Sequence, residues 1–153
     1  MRYWLMKSEP SEFSIDDLAR AGHVAWFGVR NYQARNFMRD QMRVGDGVLF
    51  YHSSCAEPGI AGLAEVSTLA YPDETQFEEG HYFDPKATRE HPRWFNVEVK
   101  YVKHTRLLSI GELRACPELA TLRILARGNR LSITPVDPDE WHLILKIMAG
   151  ERV

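Results

Sequence analysis

The chain has 153 residues, of which 44% are hydrophobic and 26% charged, and its formal net charge at pH 7 is −2. This size and balance are typical of one folded domain and exclude an intrinsically disordered chain. A near-neutral charge argues against a protein that binds polyanions through bulk charge alone. No apolar run approaches the roughly 18 residues of a membrane span, and no signal-peptide core follows Met1. We therefore expect a cytoplasmic protein, or a nuclear one in a eukaryote.

Residues with metal-binding or nucleophilic side chains do not form a recognisable catalytic motif. Cys55 and Cys116 lack the spacing of a zinc site or a disulfide framework, and the six histidines are scattered along the chain. Nucleotide-binding loops and the common hydrolase and metalloprotease motifs do not occur in the sequence. The sequence therefore predicts no metal and no cofactor.

Charge is unevenly distributed along the chain. Between Gly28 and Val48 four arginines accompany two acidic residues, whereas the stretch from Asp73 to Glu90 has a net charge of −4. A small basic surface on an acidic body suits a partner that is recognised by shape as well as by charge. Solvated faces without any partner would give the same pattern, so charge alone does not decide between the two interpretations.

The first third of the chain predicts one strand and two helices. A short aromatic and apolar run indicates a strand over Arg2–Met6. Ser14 is a predicted helix N-cap with Asp17 completing a capping box, and Gly22 ends that helix. Asn31 is the N-cap of a second helix. The apolar stripe of this helix and its line of arginines are, respectively, Ala34, Phe37, Met38 and Met42, and Arg35, Arg39 and Arg43.

The middle of the chain predicts strands separated by one long loop. Two strands are expected around Val48–His52 and Ile60–Ala70. The stretch Tyr71–Pro92 is rich in turn formers and acidic residues and is too long for a simple connection, so it is predicted to be a functional loop. Apolar and polar residues alternate over Phe95–Tyr101, which is the clearest half-buried strand.

The last third predicts short helices around a further strand. Helices are expected over Ser109–Ala115 and Pro117–Arg127, a strand over Leu131–Val136, and a last helix capped by Asp137 or Asp139. Strands of mixed length with long loops favour an α+β fold, a curled β-barrel of about five to six strands flanked by short helices. One domain is expected over 1–153, with a pocket at the mouth of the barrel.

The segment from Trp26 to Asn36 combines side chains that suit a nucleic acid. A helix N-terminus with nearby arginines suits phosphate, and Arg30, Arg35 and Arg39 are candidates for that contact. Aromatic faces such as that of Trp26 can stack on a base, while amide and hydroxyl groups can read its edge. Burial of the aromatic residues in the core is the alternative, and the clustering with polar groups favours the binding interpretation.

One possible catalytic group precedes this segment. Lys7, Ser8 and Glu9 follow the first strand, and a desolvated lysine beside a carboxylate can act as a base or nucleophile. A simple strand-end turn before Pro10 is the favoured interpretation. If the strand continues through both residues, Lys7 and Glu9 lie on one face and can form a salt bridge, which would keep the lysine protonated.

Several motifs together resemble the EVE domain family. The segment Trp26–Asn36 is similar to the family signature, and Tyr3–Pro10 to its opening strand. Further similar blocks are Gly45–Ser53, Gly59–Gly62, Ala70–Asp73, Tyr82–Lys86 and Pro92–Trp94. The resemblance extends through nearly the whole chain, and its motifs are specific only in combination.

This resemblance implies a PUA-like curled barrel and a reader of a modified base, with modified cytosine or methylated adenine in DNA or RNA as candidates. The chain is also expected to be a monomer without a membrane partner. The ligand-binding residues that the resemblance implies, together with Arg35 from the charge pattern, are Lys7, Ser8, Trp26, Arg30, Asn31, Tyr32, Arg35, Tyr51, His52, Ser53 and Trp94. The chain is therefore predicted to be a non-catalytic nucleic-acid-binding module.

Two other functions are compatible with the residues. A small amidohydrolase similar to the ASCH relatives of this fold would use Lys7 with Glu9 on an acylated nucleoside. A protein-interaction module would use the acidic loop from Asp73 to Glu90 as its docking surface. Turnover of an acylated cytidine would favour the hydrolase, and co-purification with one protein partner would favour the interaction module.

Overall fold

A computed structural model describes residues 1–150. The strands are β1 (Tyr3–Ser8), β2 (His23–Ala25), β3 (Gly47–His52), β4 (Gly59–Val66), β5 (Tyr71–Pro72), β6 (Phe95–Asn96), β7 (Glu98–Ser109) and β8 (Ile133–Val136). The α-helices are α1 (Ile15–Ala21), α2 (Tyr32–Asn36), α3 (Ile110–Ala115) and α4 (Pro138–Met148). A π-helical turn, Phe37–Gln41, continues α2, and 3₁₀ turns occur at Glu74–Phe77, Pro117–Leu119 and Arg123–Leu125.

Six strands form one mixed sheet in the order β2-β7-β4-β3-β1-β8, and β5 pairs with β6 separately. Strands β1 and β3 are parallel, while all other neighbours in the sheet are antiparallel. The pairing of β4 shifts register against both β3 and β7, and such bulges increase the local twist and bend the strand. The sheet curls into a half-barrel with short helices around it, which confirms the predicted fold class.

The curled sheet is buried on both faces. Along β1, Trp4 and Met6 belong to one apolar cluster and Leu5 to another, and Phe50 and Leu49 of β3 divide in the same way. The first cluster is covered by α1 and α2, and the second by α3 and α4. Burial on both faces explains why the sequences of these strands are continuous apolar runs without alternation.

Four of the predicted helix starts are confirmed, because each depends on residues a few positions apart. Ser14 accepts a hydrogen bond from the Asp17 N–H and completes a capping box before α1, and Asn31 accepts one from Ala34. Ser109 caps α3 in the same way. At the start of α4, Glu140 accepts a hydrogen bond from the Asp137 N–H, so the cap position is Asp137.

Two predicted helices differ from the observed ones. The second helix changes to a π-turn at Phe37 and ends at Gln41, so Arg43 lies beyond it and does not continue the line of Arg35 and Arg39. The predicted helix Pro117–Arg127 is wrong, because two separate 3₁₀ turns occupy it. In a continuous α-helix, Leu122 and Ile124 would differ in direction by about 200°, yet both are buried.

The strand boundaries also shift. The predicted strand Arg2–Met6 continues to Ser8, and Ile60–Ala70 ends at Val66. The strand expected over Phe95–Tyr101 divides into β6, which pairs with β5, and β7, which runs on to Ser109 along β4. Residues 103–106 of β7 are all polar, so this part of the strand lacks the alternation on which the prediction rested.

Candidate functional site

A cavity of about 610 Å³ opens where the parallel strands β1 and β3 end. Residues from five parts of the chain line this first cavity: the end of β1 and the turn after it, the segment after β2, the turn after β3, the long loop, and the approach to β8. They are Lys7, Ser8, Glu9, Glu12, Phe13, Val24, Ala25, Trp26, Phe27, Gly28, Val29, Arg30, Asn31, Ser53, Ser54, Tyr82, Arg130 and Ser132.

Backbone hydrogen bonds fix the floor of the first cavity. The Ser53 N–H donates to the Ser8 carbonyl at 3.0 Å, and the Lys7 N–H donates to the Ser132 carbonyl at 2.8 Å. The Ser8 hydroxyl donates to the carbonyl of Phe13 at 2.6 Å. These bonds tie three chain segments together, so the polar side chains around the floor are held on a rigid frame.

Trp26 belongs both to the core and to the cavity wall. Its N–H donates to the Val97 carbonyl at 2.8 Å, and its indole contacts the Phe50 ring edge-to-face with centroids 5.7 Å apart. Only 8% of Trp26 is exposed. Its neighbour Phe27 is 51% exposed and contacts the ring of Tyr82 edge-to-face at 5.7 Å. The cavity therefore has one fixed aromatic wall and an accessible aromatic pair at its rim.

Gly28 connects this rim to the long loop. Its backbone has a φ of +79°, which L-residues with a side chain rarely adopt, and its N–H donates to the Asp73 carboxylate at 2.7 Å. A Cβ at this position would lie 2.8 Å from the ring of Tyr82. Both the backbone conformation and the close approach of the loop therefore require glycine.

Arg30 is held by the same loop and is not available as a free cation. Its guanidinium donates to the Asp73 carboxylate at 3.2 Å, to the Tyr82 carbonyl at 2.8 Å and to the Thr75 hydroxyl at 3.1 Å. Burial opposes ionisation of Asp73, but hydrogen bonds from Thr75, Gly28 and Arg30 outweigh it and hold the pKa of this carboxyl below its usual value. This ion pair fastens the rim to the loop.

Three of the predicted ligand-binding residues lie together outside the first cavity. The ring of Trp94 stacks on that of Tyr32 with centroids 4.9 Å apart, and its indole N–H donates to Asp84 at 2.7 Å. The guanidinium of Arg35 lies over the Tyr32 ring and donates to the Arg93 carbonyl at 2.8 Å. Trp94 therefore does not line the first cavity beside Trp26, and the ring of Tyr32 stacks on it.

Tyr51 and His52 at the end of β3 also face away from the first cavity. The Nε2 atom of His52 accepts a hydrogen bond from the Ile15 N–H at 3.1 Å, which requires a neutral ring, and burial lowers the pKa of His52. His52 therefore supports the start of α1. Burial raises the pKa of the Tyr51 hydroxyl, and Tyr51 lines a second, neighbouring cavity.

The predicted ligand-binding residues form two groups in the structure. The first cavity is lined by Lys7, Ser8, Trp26, Arg30, Asn31 and Ser53, whereas Tyr32, Arg35, Tyr51, His52 and Trp94 lie outside it. The roles of all these residues in binding stay predictions. Several lining residues were not predicted from the sequence, namely Phe13, Phe27, Tyr82 and Arg130. Phe27 lay within the recognised segment, whereas no local signal indicates that Tyr82 and Arg130 reach the cavity.

The second cavity, of about 570 Å³, adjoins the first and shares Lys7, Ser53 and Ser54 with it. Burial lowers the pKa of the Lys7 ammonium, and within residues 1–150 no carboxylate forms an ion pair with it. The Lys7–Glu9 salt bridge that the sequence allowed does not form, because β1 ends at Ser8 and Glu9 is exposed.

Other features of the described residues bear on the class of protein. Within residues 1–150, no group of three His, Cys, Asp or Glu side chains is placed to hold a metal ion. In the same range, every helix is too short or too polar to cross a membrane. The acidic loop is not simply a solvated face, because Asp73 and Asp84 bind Arg30 and Trp94 on the body of the protein.

A curled half-barrel with an aromatic and polar cavity beside its parallel strand ends defines the class as a small-ligand or nucleotide-binding module. The EVE domain matches residues 2–147, and this chain belongs to the EVE domain family. Human thymocyte nuclear protein 1 is 39% identical over 97% of this chain and 75% of its own length.

Two solved structures share the complete fold. A hypothetical protein from Leishmania major is 49% identical, with a TM-score of 0.93 over 98% of this chain and 96% of its own. Human thymocyte nuclear protein 1, solved in complex with DNA that contains 5-methylcytosine, is 38% identical, with a TM-score of 0.92 over 99% of this chain and 100% of its own.

Proposed function

We propose that this protein is a non-catalytic reader of a modified base, either a modified cytosine or a methylated adenine, in DNA or RNA. The first cavity carries the proposal, because its volume of about 610 Å³ lies within the range of small-ligand pockets and its wall combines aromatic with hydrogen-bonding groups. A relative of the same fold, human thymocyte nuclear protein 1, was solved with DNA that contains 5-methylcytosine.

The cavity wall supplies the two kinds of contact that a base requires. Phe27 and Tyr82 at the rim, with Trp26 behind them, offer aromatic faces and edges to a flat ring. Ser8, Asn31 and Ser53 carry hydroxyl and amide groups that can bond to its polar edge. A methyl group on the base would add apolar contact, which favours a modified base over an unmodified one.

A base in a duplex must leave its stack to enter the cavity, which costs a few kcal/mol. Stacking on an aromatic side chain stabilises the bound base by about 1–3 kcal/mol per contact. The rigid frame around the rim lowers the ordering cost of binding, because Gly28 and Arg30 are already fixed by Asp73. Single-stranded or mismatched sites should therefore bind more tightly than paired ones.

A hydrolase is the second candidate, and one observation favours it. Lys7 lines the cavity, burial lowers its pKa, and no ion pair within residues 1–150 keeps it protonated. Neither polar neighbour is paired with Lys7, because Glu9 lines the same cavity but forms no ion pair with it within residues 1–150, and the Ser8 hydroxyl donates to the Phe13 carbonyl. We therefore retain the reader as the proposed function.

Equilibrium binding to matched oligonucleotides tests the proposal. One set of short DNA and RNA strands should differ only in one base, which is cytosine, 5-methylcytosine, adenine or N6-methyladenine. Tighter binding to one modified strand than to its unmodified partner is expected, and the free modified nucleoside should compete for the same site. Equal affinity for all strands, measured with single-stranded and duplex forms, would reject the proposed function.

A further inference from the structure

The charged residues that line the second cavity are all positive, and its other lining residues are neutral polar or apolar. Its charged residues are Lys7, Arg114 and Arg127, and no aspartate or glutamate is among the residues around it. Tyr51 and Asn129 add hydroxyl and amide groups. A cavity with several cations and no acid attracts an anion, and phosphate is the anion that such groups bind most often in nucleic-acid complexes.

The arginines of this region have no competing carboxylate. Within residues 1–150, Arg114 and Arg127 form no ion pair. The same is true of Arg130, which lies three positions after Arg127 and lines the first cavity. By contrast, Arg30 binds Asp73 and Arg39 binds Asp40. Unpaired arginines can neutralise a ligand phosphate without first breaking an internal ion pair.

The position of the second cavity suggests which phosphate it receives. Lys7, Ser53 and Ser54 line both cavities, so the two cavities adjoin. A nucleotide strand whose base occupies the first cavity can therefore place its backbone at the second. We propose that the second cavity binds a backbone phosphodiester of the same strand, next to the nucleotide that is read; this inference rests on the proposed function.

Charge-removing variants with a matched control test the inference. Arg127→Gln and Arg114→Gln each remove one cation from the second cavity. Arg123→Gln is the control, since Arg123 is exposed, lies in a neighbouring turn, lines neither cavity and forms no ion pair within residues 1–150. The three variants have the same net charge, and thermal melting verifies that each is folded.

Affinity for a single-stranded oligonucleotide carrying one modified base is measured over a range of salt concentrations, alongside affinity for the free modified nucleoside. Arg127→Gln and Arg114→Gln should each weaken oligonucleotide binding about fivefold to tenfold. Each should also reduce the slope of log affinity against log salt by about 0.7, the value for one single-strand phosphate contact. Nucleoside binding should not change, and Arg123→Gln should behave like the unaltered protein.

The result that overturns the inference is an equal salt slope in Arg127→Gln, Arg114→Gln and Arg123→Gln. Failure of the proposed function gives a different result, because the unaltered protein would then bind modified and unmodified strands equally. In that case the salt slopes still decide whether the second cavity contacts phosphate. Arg127→Lys provides a further check, since it keeps the charge and should restore most of the slope if the contact is electrostatic.

Discussion

The walls of the two cavities differ in how their charges are used. At the rim of the first cavity, Arg30 is held by Asp73 and by the Tyr82 carbonyl. At the second cavity, Arg114 and Arg127 have no ion pair within residues 1–150. We call the Gly28–Arg30 side the fixed wall and the Arg114–Arg127 side the open wall. The difference separates arginines that build a site from arginines that can bind a ligand.

The distinction between paired and unpaired arginines changes how the arginine pattern in the sequence is interpreted. Arg30, Arg35 and Arg39 stood out because they lie close to an aromatic segment, and they were the candidates for phosphate contact. In the structure, each of them already bonds to an acceptor of the protein: Asp73, the Arg93 carbonyl and Asp40. Their contact with phosphate stays a prediction, but any such contact competes with these internal bonds.

The largest expected effect comes from breaking the fixed wall at Asp73. Its side chain is 1% exposed, and Asp73→Ala would leave Arg30 without its counter-ion and the Gly28 N–H without its acceptor. Loss of one partner of a buried pair costs about 3–4 kcal/mol. Urea unfolding should therefore show a loss of this size in the free energy of unfolding, together with weaker binding of the modified base.

Asp40→Ala is the matched control, because the Asp40–Arg39 pair is exposed and its loss should change stability little.

The contribution of Asp73 to the stability of the fold also depends on pH. Because folding lowers the pKa of Asp73, its stabilisation is complete above the ordinary aspartate pKa of about 4 and is lost as pH falls through the folded-state pKa. A difference between the native protein and Asp73→Ala that stays constant down to strong acid would contradict the ion pair.

Gly28→Ala should cause a smaller loss in the free energy of unfolding, because it alters the same wall through the backbone. The substitution places a methyl group at a φ of +79° and 2.8 Å from the Tyr82 ring, which should cost about 2 kcal/mol. Gly22→Ala is an informative comparison, since Gly22 has a φ of +84° with no atom within 4 Å of the added Cβ. Equal losses in thermal or urea unfolding would mean that the contact with Tyr82 contributes nothing.

The prediction succeeded where structure depends on nearby residues. The predicted caps at Ser14 and Asn31 each involve a hydrogen bond to a residue three positions later, so the short sequence motif contains the whole interaction. The continuous apolar runs of β1 and β3 likewise follow from burial on both sheet faces. These features were sufficient to predict an α+β curled sheet.

The prediction failed where distant segments meet. Arg30 bonds to Asp73 and to Tyr82, 43 and 52 positions later in the chain, and nothing near Arg30 indicates either partner. The π-turn after α2 moves Arg43 out of the helical line in a way that residue spacing does not reveal. Recognition of the family indicated the aromatic segment, but the lining of the cavity by Tyr82 and Arg130 requires the folded chain.

An exposed aromatic side chain tests binding at the fixed wall without disturbing the core. Phe27→Ala should weaken binding of the modified oligonucleotide by the about 1–3 kcal/mol of one stacking contact. Phe27 is more suitable than Trp26, because Phe27 is 51% exposed whereas Trp26 is 8% exposed. Phe83→Ala is the control, since Phe83 is 47% exposed and follows Tyr82 in the long loop but does not line the first cavity. Equal affinities of the two variants would exclude stacking by Phe27.

The smallest expected effect concerns catalysis at Lys7, which lies between the fixed and the open wall. Burial lowers the pKa of its ammonium, so the objection that an ion pair keeps Lys7 protonated no longer holds. A larger fraction of neutral amine does not by itself make Lys7 a catalyst, because turnover needs a second group to move the proton of the reacting amine or water. Glu9 lines the first cavity but forms no ion pair with Lys7 within residues 1–150, and the Ser8 hydroxyl donates to the Phe13 carbonyl.

We therefore expect no multiple turnover when the protein is incubated with acylated or methylated nucleosides. Lys7→Ala and Lys7→Arg separate the two roles that this residue can have. If Lys7 only attracts the strand, Lys7→Arg should keep most of the oligonucleotide affinity that Lys7→Ala loses, because arginine retains the charge. If Lys7 is a nucleophile or base, product should form with the native protein and disappear in both variants, since a guanidinium stays protonated. Slow product formation that is equal in all three proteins is background and leaves the reader in place. Turnover that depends on Lys7 would reject the reader in favour of the hydrolase.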